Sequence, residues 1–220
     1  MLSATGVMSL LRTKAGFLRD TRAVSAVEFA LILPAIVLML GGAVELSGAI
    51  TAGNRATAVA ETIGQVVSQT QGPIGTEDML AFIRTAALVD PDIISYAKAT
   101  GKSLEQAVNV TVSSVAFTLK NPACAQNCQY TASLVFSEAI AGAKRACGNV
   151  PLGTTNDVAV LPSAVASGNP IIAVDVEVFY RPIMTTILGS EISFKRSLYF
   201  RPRYVTRVNY DKNCPGFPVV

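Results

Sequence analysis

The chain contains no histidine, no tryptophan and few charges: 15% of its 220 residues are Asp, Glu, Lys or Arg, against roughly 25% in an ordinary soluble domain. Without histidine, neither a Ser-His-Asp nor a Cys-His catalytic arrangement can be built, and the commonest transition-metal ligand is missing. Half of the residues are apolar, which excludes wholesale disorder, a state that needs high charge and little hydrophobicity. Eighteen basic residues against fifteen acidic ones leave a formal charge of +3, too small to argue for nucleic-acid binding. The length fits one domain, or one domain with an appendage.

Apolar residues concentrate near the start. Phe29 to Val44 reads FALILPAIVLMLGGAV, sixteen residues without a charge, set between Glu28 and Glu45. With mostly apolar flanks, about 25 residues are available to cross a hydrocarbon layer that needs ~20. Arg12, Lys14, Arg19 and Arg22 precede the run, opposed only by Asp20; after it, Arg55 is the only basic residue before Arg84. The positive-inside rule therefore expects a cytoplasmic N-terminus, with everything after about Ile50 outside. A removed secretory signal would also show a basic front and an apolar middle, with Ser47-Gly48-Ala49 as a cleavage site. Against it stand the long polar leader and Glu28 at the mouth of the apolar core.

A carboxylate inside a membrane helix costs about 2.5–3.5 kcal/mol at the centre even on the lenient insertion scale, so Glu28 calls for either headgroup depth or a partner. A cut just before Val24 would place a free amine four residues from Glu28, within reach of the glutamate of a neighbouring subunit. The stretch Arg22-Ala23-Val24-Ser25-Ala26-Val27-Glu28-Phe29-Ala30-Leu31-Ile32-Leu33-Pro34 resembles the start of TadE-like proteins, minor pseudopilins of the bacterial tight-adherence (Flp) pilus system. The resemblance implies cleavage by a prepilin peptidase between Ala23 and Val24, with Glu28 and Phe29 at the fifth and sixth mature positions. In that family the residue before the cut is usually Gly; here it is Ala23. Glu45, within GAVEL, resembles the family's second acidic helix position. Val176 to Pro182 resembles the hydrophobic strand and Tyr-x-Pro near TadE-like C-termini. The family context implies a structural, non-enzymatic subunit without a cofactor, resident in the inner membrane. Its partners would be the prepilin peptidase, the major pilin and other tight-adherence assembly proteins, in the service of adherence, colonisation and biofilm formation. The absence of an Asp-x-Ser-x-Ser stretch disfavours the longer relative with a metal-dependent adhesion domain.

Beyond the run the periodicity stays helical. Pro34 should bend the helix, and Gly41-Gly42 and Gly48 offer close-approach surfaces to another helix. Ala52, Ala56, Val59, Ile63 and Val66 form an apolar stripe, and Gln71-Gly72-Pro73 should stop the helix. A helix over Val24–Gln71 would measure about 70 Å. The expected organisation is a basic cytoplasmic leader (1–23), a transmembrane helix with an amphipathic stalk (24–72), and an extracytoplasmic domain (73–220).

The outer domain reads as α+β. Thr76 is an N-cap candidate followed by Glu77 and Asp78, opening a short helix to about Val89; 92–107 reads as a second helix or turns. Four strand-like runs follow. Val108, Val110 and Val112 alternate before Val115, Phe117 and Leu119 continue out of phase, suggesting a bulge near Ser113-Ser114. Tyr130, Ala132, Leu134 and Phe136 share a face in the second run. Ile172, Val174, Val176 and Val178 line the third opposite Asp175 and Glu177, and Ile192, Phe194, Leu198 and Phe200 line the fourth. This suits an antiparallel sheet with one covered face, the stalk and short helices providing the cover. Residues 148–170 read as an irregular excursion.

Cys124, Cys128, Cys147 and Cys214 all follow the apolar run and would face an oxidising space. Four cysteines allow three pairings; the expected one joins Cys124 to Cys128 locally and Cys147 to Cys214 across the tail. A four-cysteine zinc site competes, but the spacings lack paired C-x₂₋₄-C halves. Lys195, Arg196, Arg201, Arg203, Arg207 and Lys212 form a basic run that reads as an anionic-partner surface or as solvated strand edges. An extracytoplasmic place argues against nucleic acid despite the interleaved tyrosines. The alternative to the pilus reading is a single-pass anchor presenting a periplasmic binding or sensing domain, never cut at Ala23. An exported enzyme released after Ala49 would need a catalytic constellation that the sequence does not display.

Overall fold

A 48-residue helix, α1 (Thr21–Ser68), opens the described part of the chain. The computed structural model describes residues 21–154, 159–183, 189 and 191–219; residues 1–20 of the expected leader, with Arg12, Lys14 and Arg19, lie outside them. Helix α1 begins three residues before Val24 and ends three before Gln71. It also runs unbroken through Pro34. Its last turn closes tightly, with Gln69 N donating to Val66 O at 3.1 Å and Thr70 N to Val67 O at 3.2 Å, so the helix stops ahead of Gly72-Pro73. At 1.5 Å per residue its length is about 72 Å.

Contacts divide the chain into two compact units, one ending at Ser47 and the other running from Gly48 to Val220. In the first, every residue from Val24 to Leu40 is exposed, and Glu45 is the only buried residue between Val24 and Ser47.

The second unit is α+β. Helices α2 (Thr76–Val89), α3 (Asp92–Thr100) and α4 (Leu104–Ala107) follow the stalk. Strands β1 (Val108–Leu119), β2 (Tyr130–Ala139), β3 (Asn149–Val150), β4 (Leu152–Gly153), β5 (Leu161–Pro162), β6 (Ile171–Tyr180) and β7 (Ile192–Phe200) come next. Five of them form one sheet in the order β3-β2-β1-β6-β7, antiparallel at every pairing; β4 and β5 make a small parallel pair. The cap of α2 is Gly75 rather than Thr76, and the Asp78 carboxylate accepts the Gly75 N–H at 2.8 Å, satisfying one of the helix's orphan donors.

The sheet is buried on both faces, which corrects the reading of one covered face. Val108, Val110, Val112, Val174, Val176 and Val178 meet the stalk residues Ala56, Val59, Ala60, Ile63 and Val67 together with α2 and α3. Val115, Phe117, Leu134, Ile171 and Ala173 form a second core on the other face with Val150, Leu161 and Cys214. Hence the switch of phase within β1 is not a bulge in β1. That strand pairs with β6 in unbroken register from Val108↔Val178 to Val115↔Ile171, and its two apolar sets serve two cores. The irregularity belongs to β2: Ser114 pairs with Phe136 but Val115 with Leu134, leaving Val135 as the extra residue. One inserted residue sends Phe136 to the face opposite Leu134, so the expected single face of β2 is split. The stalk stripe also differs at its end, where Val67 is buried and Val66 is 49% exposed; a step of four from Ile63 keeps the helix on the sheet where a step of three leaves it.

Glycine is required where the stalk meets the sheet. A Cβ on Gly64 would overlap the Phe200 ring, and one on Gly53 would crowd Phe194 and the Arg196 guanidinium. Arg196, which interrupts the apolar side of β7, reaches Thr57 Oγ1 at 3.2 Å.

Candidate functional site

The most unusual surface is the first half of α1. Val24, Phe29, Leu31, Ile32, Val37, Leu38, Met39 and Leu40 are all more than half exposed, and the helix contains a stretch of mean hydropathy 2.3 with none of it buried. Monomeric soluble proteins rarely expose apolar patches beyond a few hundred Å². A helix that is hydrophobic all round and uncovered matches the solvent of a bilayer or the flank of similar helices. Glu28 lies at the start of this surface, exposed like its neighbours. Val24 and Glu28 are one turn apart on one side of the helix, and Phe29 beside them is 59% exposed. Glu45, 17 positions beyond Glu28, stands about 25 Å farther along the axis and about 100° around it. The structure thus brings Val24, Glu28 and Phe29 to one end of the apolar run and leaves Glu45 at the other, buried at 3% exposure.

The cysteines form two disulfides, Cys124–Cys128 and Cys147–Cys214. No cysteine is left for zinc, and among the described residues no group of three or more His, Cys, Asp or Glu could hold a metal. Cys147–Cys214 ties the C-terminal tail beneath the second core, where Cys214 N donates to Val135 O at 2.7 Å. Basic residues of the 195–212 run are partly consumed by the fold. Lys195 pairs with Glu177 at 3.4 Å, the Arg207 guanidinium lies 5.3 Å over the Phe217 ring, and the backbone N–H of Arg203 caps Ser68 O at 2.9 Å.

A buried ionic cluster escapes sequence reasoning. Arg145, from the segment between β2 and β3, donates from Nη1 to Asp175 Oδ2 at 2.6 Å and to Ser113 Oγ at 2.8 Å. Ser197 Oγ donates to Asp175 Oδ1 at 2.5 Å, and Ser113 and Ser137 share a hydrogen bond of 2.9 Å. Both charged side chains are at most 7% exposed. The alternation of β6 places Asp175 opposite the valines, as read, but that side is covered rather than solvated. The guanidinium comes from an irregular segment 30 residues away, and a partner at that separation leaves no trace in spacing. Through these bonds the cluster fastens the β2–β3 segment to the sheet. Elsewhere, Lys102 Nζ donates to Tyr96 Oη at 2.6 Å and lies 4.9 Å over its ring, and Tyr96 Oη donates to Glu191. Burial, aided by the Glu191 hydrogen bond, pushes the Tyr96 phenol above its usual range.

Together these features define a chain with, among the described residues, one helix long and apolar enough to cross a membrane, followed by a disulfide-stapled α+β unit. Residues 23–64 match the family described as TadE-like protein. The match takes in Ala23, Val24, Glu28, Phe29 and Glu45, and it ends at Gly64, inside α1. This agrees with the resemblance carried by Arg22–Pro34, and it supports a membrane component related to the tight-adherence pilus. Comparison with curated proteins and with solved structures gives no match.

Proposed function

We propose that the chain is a TadE-like pseudopilin, a structural component of tight-adherence pilus assembly that supports adherence and biofilm formation. Carrying this reading is the coincidence of the TadE-like match over 23–64 with a helix whose apolar surface is uncovered from Val24 to Leu40. The leader lies in the cytoplasm and is removed by a prepilin peptidase between Ala23 and Val24. The helix remains in the inner membrane, and the disulfide-bonded unit stands in the oxidising space beyond. There α1 packs laterally against the helices of the major pilin and other assembly subunits. Glu28 of one subunit is neutralised by the new amine at Val24 of another. A direct pair of this kind sets neighbouring helices about 6 Å apart in axial height, the rise of the four residues between Val24 and Glu28.

The test is co-purification from the native envelope. Glu28→Ala should leave membrane insertion intact and sharply reduce recovery with the other assembly proteins, while Glu28→Asp should restore part of it. Normal assembly of Glu28→Ala would remove the pairing from the mechanism.

A further inference from the structure

A groove of about 230 Å³ lies between α3 and the C-terminal end of β6, lined by Ser95, Tyr96 and Ala99 from one side and Phe179, Tyr180 and Arg181 from the other. The Tyr180 phenol stands so close to Gly48 that a Cβ there would collide with it. In sequence, Gly48 is the fourth residue after Val44, the last of the uncharged run. Tyr180 therefore ties this edge of the groove to Gly48, the first residue of the second unit. Arg181 is exposed and directs Nη1 to Ala99 O at 3.5 Å, a long contact that leaves the guanidinium plane able to take a stronger acceptor. Asp92, the groove's acid, is drawn off by Arg55. Two residues beyond Arg181, Ile183 is 80% exposed, one of the most exposed large apolar side chains of the unit.

We propose that this groove seats the phosphate headgroup of a membrane phospholipid; the inference rests on the reading that the apolar part of α1 crosses a bilayer. Guanidinium groups bind phosphate oxygens through two parallel N–H donors. Tyrosine is enriched at headgroup depth, and the exposed Ile183 near it adds apolar area that can dip into the same boundary. The volume is below the ~300–1,000 Å³ of pockets that enclose whole ligands, which suits a headgroup whose chains stay in the bilayer. Occupancy would hold Arg181 and the end of β6 at the membrane surface.

The experiment is hydrogen–deuterium exchange of the full chain in nanodiscs of mixed phosphatidylethanolamine and phosphatidylglycerol, and in detergent with and without inorganic phosphate. The expected result is protection of 92–100 and 179–183 in nanodiscs only. Arg181→Gln should weaken it about fivefold, the worth of one basic residue at a charged membrane surface, while Lys212→Gln leaves it unchanged. Protection in detergent on adding inorganic phosphate would overturn the lipid assignment in favour of a free oxyanion. Protection of 24–44 in nanodiscs without protection of 179–183 would overturn the groove proposal alone. Loss of protection at 24–44 itself would overturn the membrane reading on which it rests.

Discussion

Consider replacing each disulfide in turn by a pair of alanines, Cys147→Ala with Cys214→Ala, and Cys124→Ala with Cys128→Ala. The bridged cysteines are 67 residues apart in the first case and 4 in the second. In the chain-entropy account a cross-link removes freedom from the unfolded ensemble in proportion to the logarithm of the loop it closes. The long bridge is then worth about 4.4 kcal/mol and the short one about 1.9 kcal/mol. The constant cancels in the difference, about 2.5 kcal/mol, which depends on loop length alone. Native packing pushes the same way: Cys214 is 6% exposed within the second core, whereas Cys124 and Cys128 sit in the β1–β2 connection. Without the long bridge the tail retains its backbone bonds to Ile74, with Ile74 N to Asn209 O at 2.8 Å and Asp211 N to Ile74 O at 3.0 Å, and the stacking of Tyr210 on Phe136. The fold should therefore survive at reduced stability. Urea unfolding of the full chain in mild detergent, followed by near-ultraviolet circular dichroism, gives both free energies. Equal losses, or a larger loss for the short bridge, would refute the loop-length reasoning.

Three further outcomes follow from the packing and the charges. Gly64→Ala should cost about 1–3 kcal/mol by overpacking against Phe200, and combining it with Phe200→Leu should recover part of that loss in a double-mutant cycle read by urea midpoints. Arg145→Met should destabilise by about 3–5 kcal/mol because it strands Asp175 in the sheet; the paired change with Asp175→Leu should be far less harmful than the sum of the singles. Burial, against the pull of Arg55, raises the Asp90 carboxyl above its usual 3.8. The folded state then holds that proton more tightly than the unfolded chain, so this group's contribution falls as pH rises from about 3.8 through the folded value. Asp90→Asn should flatten that part of the stability–pH curve.

How much of this was legible in sequence depends on how local the determinant is. The helix was readable because sixteen uncharged residues and a basic flank are contiguous, and its continuation because Ala56, Val59 and Ile63 recur within a few turns. Its apolar stripe ends on Val67 rather than Val66, since a step of three or of four fits the period equally and the sheet selects between them. Strands β1, β2, β6 and β7 were legible from alternation. The second core was not, because residues of one strand facing opposite ways look like a bulge unless the cover on each side is known. The placement of Phe136 turned on one inserted residue, Val135, which no side-chain pattern marks. Arg145–Asp175 and the groove at Tyr180 both join segments far apart in the chain. At the start of α1 the position is reversed: Ala23, Val24, Glu28 and Phe29 are readable as a motif, and the single chain contributes only the exposure of Val24, Glu28 and Phe29 on the helix.

The account stands most directly on the first residue of the mature protein, read by terminal sequencing or intact mass of material from the native cell envelope. Val24 is the residue expected, with the amine available to a neighbour's Glu28. A chain still beginning at Met1 would contradict the pseudopilin reading and leave a tethered domain, and one beginning at Ile50 would make it an exported protein freed from its anchor.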